Sequence, residues 1–226
     1  MHALSVHDNY ISKVIFAAIF LFGICGSFVH AQEIKVRTRL DEVPPLFRQD
    51  TLTLCFMGDM MMHANQISNA HKGDNSYDFT TYFRHLEDQI SKADIAVANM
   101  EFTLAGEPYT GYPQFSAPDS FAEHIADSGV DIFLCANNHI YDKGSAGTAR
   151  TLKIYKELSN KYGIRYTGLT ESSEEREENL SLTVIRKGMK ISFINMTYGT
   201  NLGATDHWPK VLYQSEKEKM TFLYDN

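Results

Sequence analysis

Apolar, strand-like runs alternate with helical segments along most of this 226-residue chain, and no other feature of the sequence constrains the fold as much. The first four apolar runs are TLTLCFM at 51–57, DIAVANME at 94–101, VDIFLCA at 130–136 and IRYTGL at 164–169. Strands separated by helices form a mainly parallel sheet with helices packed on its faces. The sequence therefore predicts an α/β fold.

The segments between these runs carry helix signals. Apolar residues recur at helical spacing in the first of them, at Phe79, Tyr82, Phe83, Leu86 and Ile90. The second helix is predicted from Pro118 to Gly129 and the third from Ser145 to Gly163, each glycine marking a helix end. Residues 170–179, TESSEEREEN, are predicted to be a solvated loop. Residues 180–199 are predicted to form two strands joined at Lys187 and Gly188.

Polar clusters follow three of the predicted strands, at the point where each strand ends. They are GDMMMH after the first strand, NME ending the second and NNH ending the third. In open parallel sheets, ligands bind outside the carboxyl ends of the strands. We therefore expect these three clusters to converge in one place. The three methionines, Met60 to Met62, are expected to pack under the sheet rather than bind copper.

Each polar residue also has a purely structural explanation. Asp59 is suited to capping a helix, His63 to a surface or capping position, and Asn137 and Asn138 to binding backbone groups of a turn. Strand alternation places Asn99 and Glu101 on one side of the second strand. Taken together, carboxylate, amide and imidazole groups favour a divalent metal site, in which Asp142 would fix the tautomer of His139. The sequence contains no G-x-S-x-G, P-loop or G-x-G-x-x-G motif.

Charge and the amino-terminal segment restrict the location and the partners. The formal charge is −7 with no basic stripe, which argues against a nucleic-acid partner.

Residues 1–31 have the pattern of a secretory signal peptide, with an uncleaved membrane anchor at residues 14–25 or a lipoprotein as alternatives. Residues 32–50 are predicted to be a linker, and residues 51–226 the folded domain. Cys55 and Cys135 are expected to be buried free thiols, although export permits a disulfide.

The three polar clusters, in this order and at these separations, resemble the CapA family. This family comprises PgsA-like proteins of capsule synthesis or poly-γ-glutamate biosynthesis, with a metallophosphatase-like (calcineurin-like) α/β sandwich fold. The resemblance covers about residues 51–198, and its most specific element is Asn-Asn-His-x-x-Asp-x-Gly at 137–144. It implies an exported protein of the bacterial periplasm or cell envelope. It also implies two kinds of partner: an envelope polymer or its precursor, and membrane-bound synthase subunits.

The resemblance also implies roles for individual residues. Asp59, Glu101 and Asn138 correspond to metal ligands, His139 to a proton donor or transition-state stabiliser, and Asp142 to the residue that holds His139. The implied cofactor is a divalent metal, Mn²⁺, Zn²⁺ or Mg²⁺. The family pattern has a histidine two residues after the first aspartate, where this chain has Met61. His63 is then the remaining candidate ligand in that cluster.

A second departure concerns the later part of the chain. Family members continue with a His-Trp-Gly element and a late Gly-His-x-Pro-His element, whereas this chain has DHWPK at 206–210 and no late histidine pair. We therefore expect a sandwich that is incomplete at its C-terminal end, with an exposed edge or apolar patch, weak metal binding and little turnover. Three functions remain open: an envelope-polymer synthesis protein with a metal site, a metal-dependent phosphoesterase acting on an envelope precursor, and a non-catalytic scaffold of a synthase complex.

Overall fold

The computed structural model describes residues 51–178 and 180–216, which belong to a unit spanning residues 49–226. The predicted signal segment 1–31, its possible anchor 14–25 and the linker 32–50 lie outside the described residues. The elements in chain order are β1 (Leu54–Met60), α1 (Ala64–Ala70), α2 (Glu87–Lys92), β2 (Ile95–Met100), α3 (Asp119–Asp127), β3 (Ile132–Leu134), α4 (Gly144–Tyr162), β4 (Arg165–Thr167), β5 (Leu169–Thr170), α5 (Ser173–Glu178), β6 (Leu182–Arg186), β7 (Met189–Phe193), β8 (Lys210–Val211) and a 3₁₀ turn (Gln214–Glu216).

The central element is a four-stranded parallel sheet in the order β1-β2-β3-β4. β1 lies beside β2 along most of its length, with Leu54 opposite Ile95. β3 then pairs with β2 and β4, with Phe133 opposite both Ala98 and Tyr166. The parallel sheet and the intervening helices confirm the α/β class predicted from the sequence.

Apolar side chains pack on both faces of this sheet. On one face, Ala96, Ala98 and Met100 join a large core with Phe121 of α3 and Tyr155 of α4. Met60 and Met62 are buried in that core, as predicted from the sequence. The opposite face carries a smaller cluster of Ile95, Val97, Ile132 and Phe193, with Val184 and Ile191 packed against it. The sheet is therefore covered by helices on one side and by the β6–β7 pair on the other.

β6 and β7 form the antiparallel hairpin predicted around Lys187 and Gly188. Lys187 adopts a left-handed backbone conformation, with φ of 49°, and its ammonium group lies 2.7 Å from Asp94 at the start of β2. The same Asp94 carboxylate accepts a hydrogen bond from the Thr53 backbone at 2.8 Å. Asp94 therefore ties the hairpin turn to the amino ends of β1 and β2. A second antiparallel pair, β5 with β8, lies beyond β4 in the chain.

Two of the helix and loop predictions are wrong. The helix predicted from Phe79 begins only at Glu87, and Leu86, expected on its buried face, is 44% exposed. Phe79 is buried, but it lies in a segment that is not helical. The helical spacing of the apolar residues in this segment therefore reflects their burial and not a helix. The predicted loop at 170–179 contains the short helix α5, in which Arg176 is buried, donates to the Val211 carbonyl at 3.1 Å and pairs with Glu216. In both segments, the secondary structure follows from contacts with other parts of the chain and differs from what the local sequence pattern predicts.

β1 is an edge strand of the described sheet and exposes apolar side chains. Leu54 is 38% exposed and Phe56 63%, and Ile185 on the hairpin is 73% exposed. Such side chains can take part in association with another surface. Within residues 51–178 and 180–216, no helix combines the length and the apolar character needed to cross a bilayer.

His124 on α3 makes the stability of the domain dependent on pH. Its Nε2 atom is buried with no hydrogen-bond partner among the described residues, and its ring packs 5.5 Å from that of Phe83. Burial lowers the pKa of His124 from 6.5, although Asp127, Glu87 and Asp78 act in the opposite direction. Because the unfolded chain then binds the proton more readily, the free energy of unfolding decreases as pH falls below about 6.5.

We therefore expect His124→Leu to reduce this loss of stability at acid pH. The measurement is urea denaturation at pH 7.5 and pH 5.5, with His85→Leu as the control because His85 is exposed. Equal acid sensitivity of the His124→Leu variant and the wild type would contradict the assignment.

Candidate functional site at the carboxyl edge of the sheet

A bulge in β1 determines where Asp59 points. Phe56 pairs with Val97 and Asp59 with Asn99, so β1 contains one extra residue between these two pairs. Gly58 lies in this bulge with φ of 75°, in the left-handed region that glycine adopts readily. Since a one-residue shift turns a strand side chain to the other face, the bulge places Asp59 beside Asn99.

Asn99 joins the two acidic residues of the site. Its side-chain nitrogen donates to Asp59 Oδ1 at 2.8 Å and to Glu101 Oε2 at 3.0 Å. Asn137, which follows β3, donates to Asn99 Oδ1 at 3.3 Å and to the Met100 carbonyl at 2.9 Å. The three strand ends are thus connected by side-chain hydrogen bonds. One oxygen of each carboxylate, Asp59 Oδ2 and Glu101 Oε1, is not used by Asn99.

Burial raises the pKa of Glu101 above its usual value, and the neighbouring Asp59 carboxylate adds to the effect. The His139 imidazole acts in the opposite direction. Two carboxylates close together in a partly buried place are favourable only when a donor or a cation is nearby. Asn99 supplies the donor in this structure, and a cation would relieve the remaining repulsion.

His139 is held rigidly by its neighbours. It is 6% exposed, and its Nδ1 lies 2.7 Å from Asp142 Oδ2. The same Asp142 oxygen accepts a hydrogen bond from the Phe115 backbone N–H at 2.7 Å, and the Phe115 ring packs edge-on against the imidazole at 4.7 Å. Asp142 Oδ1 is buried without a hydrogen-bond partner among the described residues. The predicted hydrogen bond between Asp142 and His139 is therefore present.

This arrangement fixes the chemistry of the imidazole. Because the short contact to the Asp142 carboxylate is best made by an Nδ1–H donor, the lone pair of neutral His139 lies on Nε2. Nε2 is 3.9 Å from Glu101 Oε1. A histidine oriented in this way can take up or release a proton at Nε2, or bind a metal ion there.

Asn201 belongs to the site but was missed in the sequence analysis. Its backbone N–H donates to the Asn138 carbonyl at 2.9 Å, and its side-chain nitrogen lies 3.1 Å from His139 Nδ1. This second contact is not a hydrogen bond when Nδ1 carries the proton that Asp142 accepts, because both nitrogens are then donors. The Asn138 side chain donates to Asn201 Oδ1 at 3.4 Å, and among the described residues no hydrogen bond joins it to Asp59 or Glu101. The signal in the sequence was the polar segment TYGTN at 197–201, which begins a few residues after β7 ends at Phe193.

His63 lies at the edge of this group. It precedes α1, where its backbone N–H donates to the Gln66 side chain at 2.8 Å, and its ring packs edge-on against Phe115 at 5.1 Å. Across the described part of the chain, no hydrogen bond or ion pair links the His63 ring to Asp59 or Glu101. The structure therefore brings Asp59, Glu101, His139 and Asp142 together, with His63 in a helix-capping position beside them.

Thiol chemistry is unfavourable at this edge. Cys55 and Cys135 are free cysteines, as expected from the sequence, but only Cys135 is buried; Cys55 is partly exposed, contrary to the expectation that both are buried. Burial raises the pKa of the Cys135 thiol to about 12, so this group is protonated at neutral pH.

The residues present fit some divalent ions better than others. Among residues 51–178 and 180–216, no group of three or more His, Cys, Asp or Glu side chains is arranged to enclose a metal ion. Zinc sites generally use three or four such ligands, whereas Mg²⁺ is held by one or two carboxylates and keeps several waters. Asn99 holds the Asp59 and Glu101 carboxylates side by side, and one or two carboxylates are the protein ligands with which Mg²⁺ is commonly held.

The fold and the site define a class of protein, an α/β protein with an acid–histidine cluster at the carboxyl edge of its parallel sheet. The family described as "Bacterial capsule synthesis protein PGA_cap" matches residues 53–224 of the chain. The chain therefore belongs to this family, and the recognition made from the three polar clusters is confirmed.

Two known proteins show the extent of the similarity. The capsule biosynthesis protein CapA of Bacillus anthracis is 25% identical over 176 residues, which cover 74% of this chain and 40% of that protein. The chain thus spans less than half of this relative. A 5′-nucleotidase precursor from Thermus thermophilus is similar in structure, with 14% identity, coverage of 77% of this chain and 34% of that chain, and a TM-score of 0.40.

Proposed function

We propose that this capsule synthesis protein uses the Asp59–Glu101–His139 cluster for metal-dependent hydrolytic chemistry of the metallophosphatase type, on an envelope polymer or its phosphorylated precursor. One observation carries the proposal. Asp142 holds the His139 ring with Nε2 facing Glu101, and Asn99 joins Glu101 to Asp59. A helix cap or a polar turn requires no such convergence of residues from three strands.

Each residue of this chain has a separate role in the proposal. Asp59 and Glu101 would hold the ion. A bound divalent ion would supply a water of lowered pKa and electrostatic stabilisation of the phosphoryl group. Asp142 orients the His139 ring so that Nε2 faces the site. When the ring also carries a proton on Nε2, it would donate this proton to the leaving oxygen, and the neutral ring would then take up the proton released by the attacking water. Phe115 excludes water from one side of the imidazole.

The proposed location is the cell envelope, after export directed by the signal-peptide pattern in residues 1–31. This location suits a family whose members synthesise capsule. The partners in the proposal are the envelope polymer and membrane-bound synthase subunits, which handle the same polymer.

A second candidate function is a non-catalytic scaffold in the synthase complex. The exposed apolar side chains of Leu54, Phe56 and Ile185 favour it, because such side chains are stabilised by burial against a partner. A scaffold requires neither metal nor turnover, so the two candidates differ in a measurable way.

The test of the proposed function combines metal binding and hydrolysis. We expect millimolar Mg²⁺ or Mn²⁺ to raise the melting temperature of the wild type, because an ion that binds only the folded state stabilises it. We also expect hydrolysis of aryl phosphates and aryl phosphodiesters, measured as release of the aryl alcohol, only when the ion is present and at a low rate, in line with the little turnover expected from the sequence. Asp59→Asn should abolish both effects.

Asp88→Asn is the matched control, because the Asp88 side chain is 89% exposed and pairs with Lys92 on its own helix. It should behave like the wild type in both assays. A melting temperature that is insensitive to both ions, together with no hydrolysis, would reject the proposal and favour the scaffold.

A further inference from the structure

We infer that Asn195 is a positioning residue for His139, and that Asn195 and Asn201 together fix the turn that carries this histidine. The turn consists of residues 136–139 and follows β3. The inference rests on the proposed function in one respect, since it expects that a displaced His139 slows the reaction. The hold on the turn itself is testable without any hydrolysis.

The end of β4 explains why the turn needs a partner from another part of the chain. β3 pairs with β4 as far as Leu134 opposite Thr167, and the Cys135 N–H still donates to the Thr167 carbonyl at 2.9 Å. At Gly168, with φ of 94°, the chain leaves β4 and enters β5, which pairs with β8 instead. Ala136 is buried beyond the point where pairing with β4 ends, and its backbone N–H and C=O require other hydrogen-bond partners there.

Asn195 supplies both of these partners. Its Oδ1 accepts a hydrogen bond from the Ala136 N–H at 2.6 Å, and its Nδ2 donates to the Ala136 carbonyl at 3.4 Å. The side-chain amide therefore takes the place that a neighbouring strand would occupy. The two contacts also determine the orientation of the amide, because its oxygen can only accept a hydrogen bond and its nitrogen can only donate one.

The absence of a side chain at Gly168 makes room for Asn195. A Cβ atom at position 168 would lie 2.2 Å from Asn195 Oδ1 and 2.8 Å from the Ala136 nitrogen, both far inside van der Waals contact. Glycine also adopts the positive φ of this position readily. Two requirements thus select glycine here, and one of them is the Asn195 amide.

Asn201 holds the other end of the turn. Its backbone N–H donates to the Asn138 carbonyl at 2.9 Å, and its Oδ1 accepts from the Asn138 side chain at 3.4 Å. Between the two asparagines, Thr197 donates to the Leu212 carbonyl and accepts from the Gln214 N–H, each at 2.9 Å. Both asparagines therefore extend from a segment that is itself fixed to the chain around β8.

The position of His139 depends on the path of this turn. Its backbone N–H donates to Asn137 Oδ1 at 3.0 Å, and its ring is held by Asp142. The contact with Asp142 fixes the direction of the ring. The position of the backbone from which the ring extends depends on the contacts made by Asn195 and Asn201.

The first test follows His139 by NMR of protein labelled with ¹⁵N-histidine, at one neutral pH and without metal, with His139→Ala used to assign the signals. The wild type should show one protonated and one unprotonated ring nitrogen, as expected for a neutral imidazole held by a carboxylate. Asn195→Ala should move both signals towards those of a freely exchanging imidazole, because the turn loses both side-chain contacts at Ala136. Asn201→Ala should move them less, because its backbone hydrogen bond to Asn138 remains.

The second test separates kcat from KM for metal-dependent hydrolysis. Asn195→Ala should lower kcat by about tenfold to a hundredfold and change KM by less than about twofold, since a misplacement of about 1 Å costs on the order of a hundredfold in rate. A loss of folded protein alone would lower the apparent rate without moving the His139 signals of the protein that remains folded.

Asn160→Ala is the matched control, because Asn160 is exposed on the last turn of α4. It should leave the His139 signals and kcat unchanged. If Asn195→Ala does not fold, Asn195→Asp keeps the acceptor for the Ala136 N–H and should show a smaller displacement of the same signals.

Wild-type His139 signals in the folded variant at position 195, at any melting temperature, would overturn the inference. Displaced signals with an unchanged kcat in an active protein would overturn it as well. Displaced signals in a protein without hydrolytic activity would support the hold on the turn while rejecting the proposed chemistry.

Discussion

Replacing His139 by alanine should lower kcat for metal-dependent phosphoester hydrolysis by about 10²–10⁴-fold, the range expected when a general acid or base is removed. The physical reason is that Nε2 is the imidazole atom left free by the Asp142 contact and it faces the Glu101 carboxylate. The measurement is the steady-state rate at saturating Mg²⁺ or Mn²⁺, with the melting temperature recorded for the same preparation.

His85→Ala separates loss of an imidazole at the site from loss of any histidine, because His85 is exposed and contacts Arg84. It should retain the wild-type rate. An unchanged rate in His139→Ala would show that the imidazole takes no part in the reaction, and the assignment of the cluster would then be wrong.

The Asp142→Ala variant should lose on the order of 3 kcal/mol of unfolding free energy, in addition to most of its activity. Two hydrogen bonds to a buried carboxylate are lost, at about 1.5–3 kcal/mol each, partly offset because a buried charge is removed as well. The Phe115 N–H is left without its acceptor inside the protein. The measurement is urea denaturation followed by circular dichroism at neutral pH.

Asp142→Asn distinguishes the structural role of Asp142 from its role in orienting His139. The asparagine oxygen can still accept from Phe115, but it cannot at the same time supply the charged acceptor that His139 Nδ1–H uses. We therefore expect Asp142→Asn to recover part of the stability but little of the activity. Asp88→Ala, at an exposed helix position, should change the unfolding free energy by less than about 0.5 kcal/mol. Equal stability losses for Asp142→Ala and Asp88→Ala would contradict the role given to Asp142.

The sequence predicted the residues of the cluster better than their partners. Asp59, Glu101 and His139 were identified because each comes at the carboxyl end of an apolar run, and parallel strands bring such ends to one edge. Asn201 was missed because it lies 62 residues after His139 and ends no strand of the central sheet. A contact between residues so far apart in the sequence depends on how the later loop packs. The local sequence pattern carries no information about that packing.

Asn137 and Asn138 show the same difference at closer range. Both carry the same side chain, and their positions in the sequence differ by one residue. In the structure, Asn137 is buried and connects to Asn99 and Met100, whereas Asn138 turns towards Asn201. The sequence placed the pair at the site, but backbone geometry after β3 decided which asparagine reaches which neighbour.

By itself the sequence determined the α/β class, the parallel strands, the hairpin at Lys187 and the place where polar side chains meet. These follow from hydrophobic periodicity and from the rule that parallel strands end at one edge, which act locally or through simple topology. Only the tertiary structure decided the bulge that turns Asp59, the sharing of Asp142 between His139 and Phe115, and the contact between Asn138 and Asn201. Each of these depends on atoms distant in the chain meeting within a few ångströms, which only packing of the complete domain specifies.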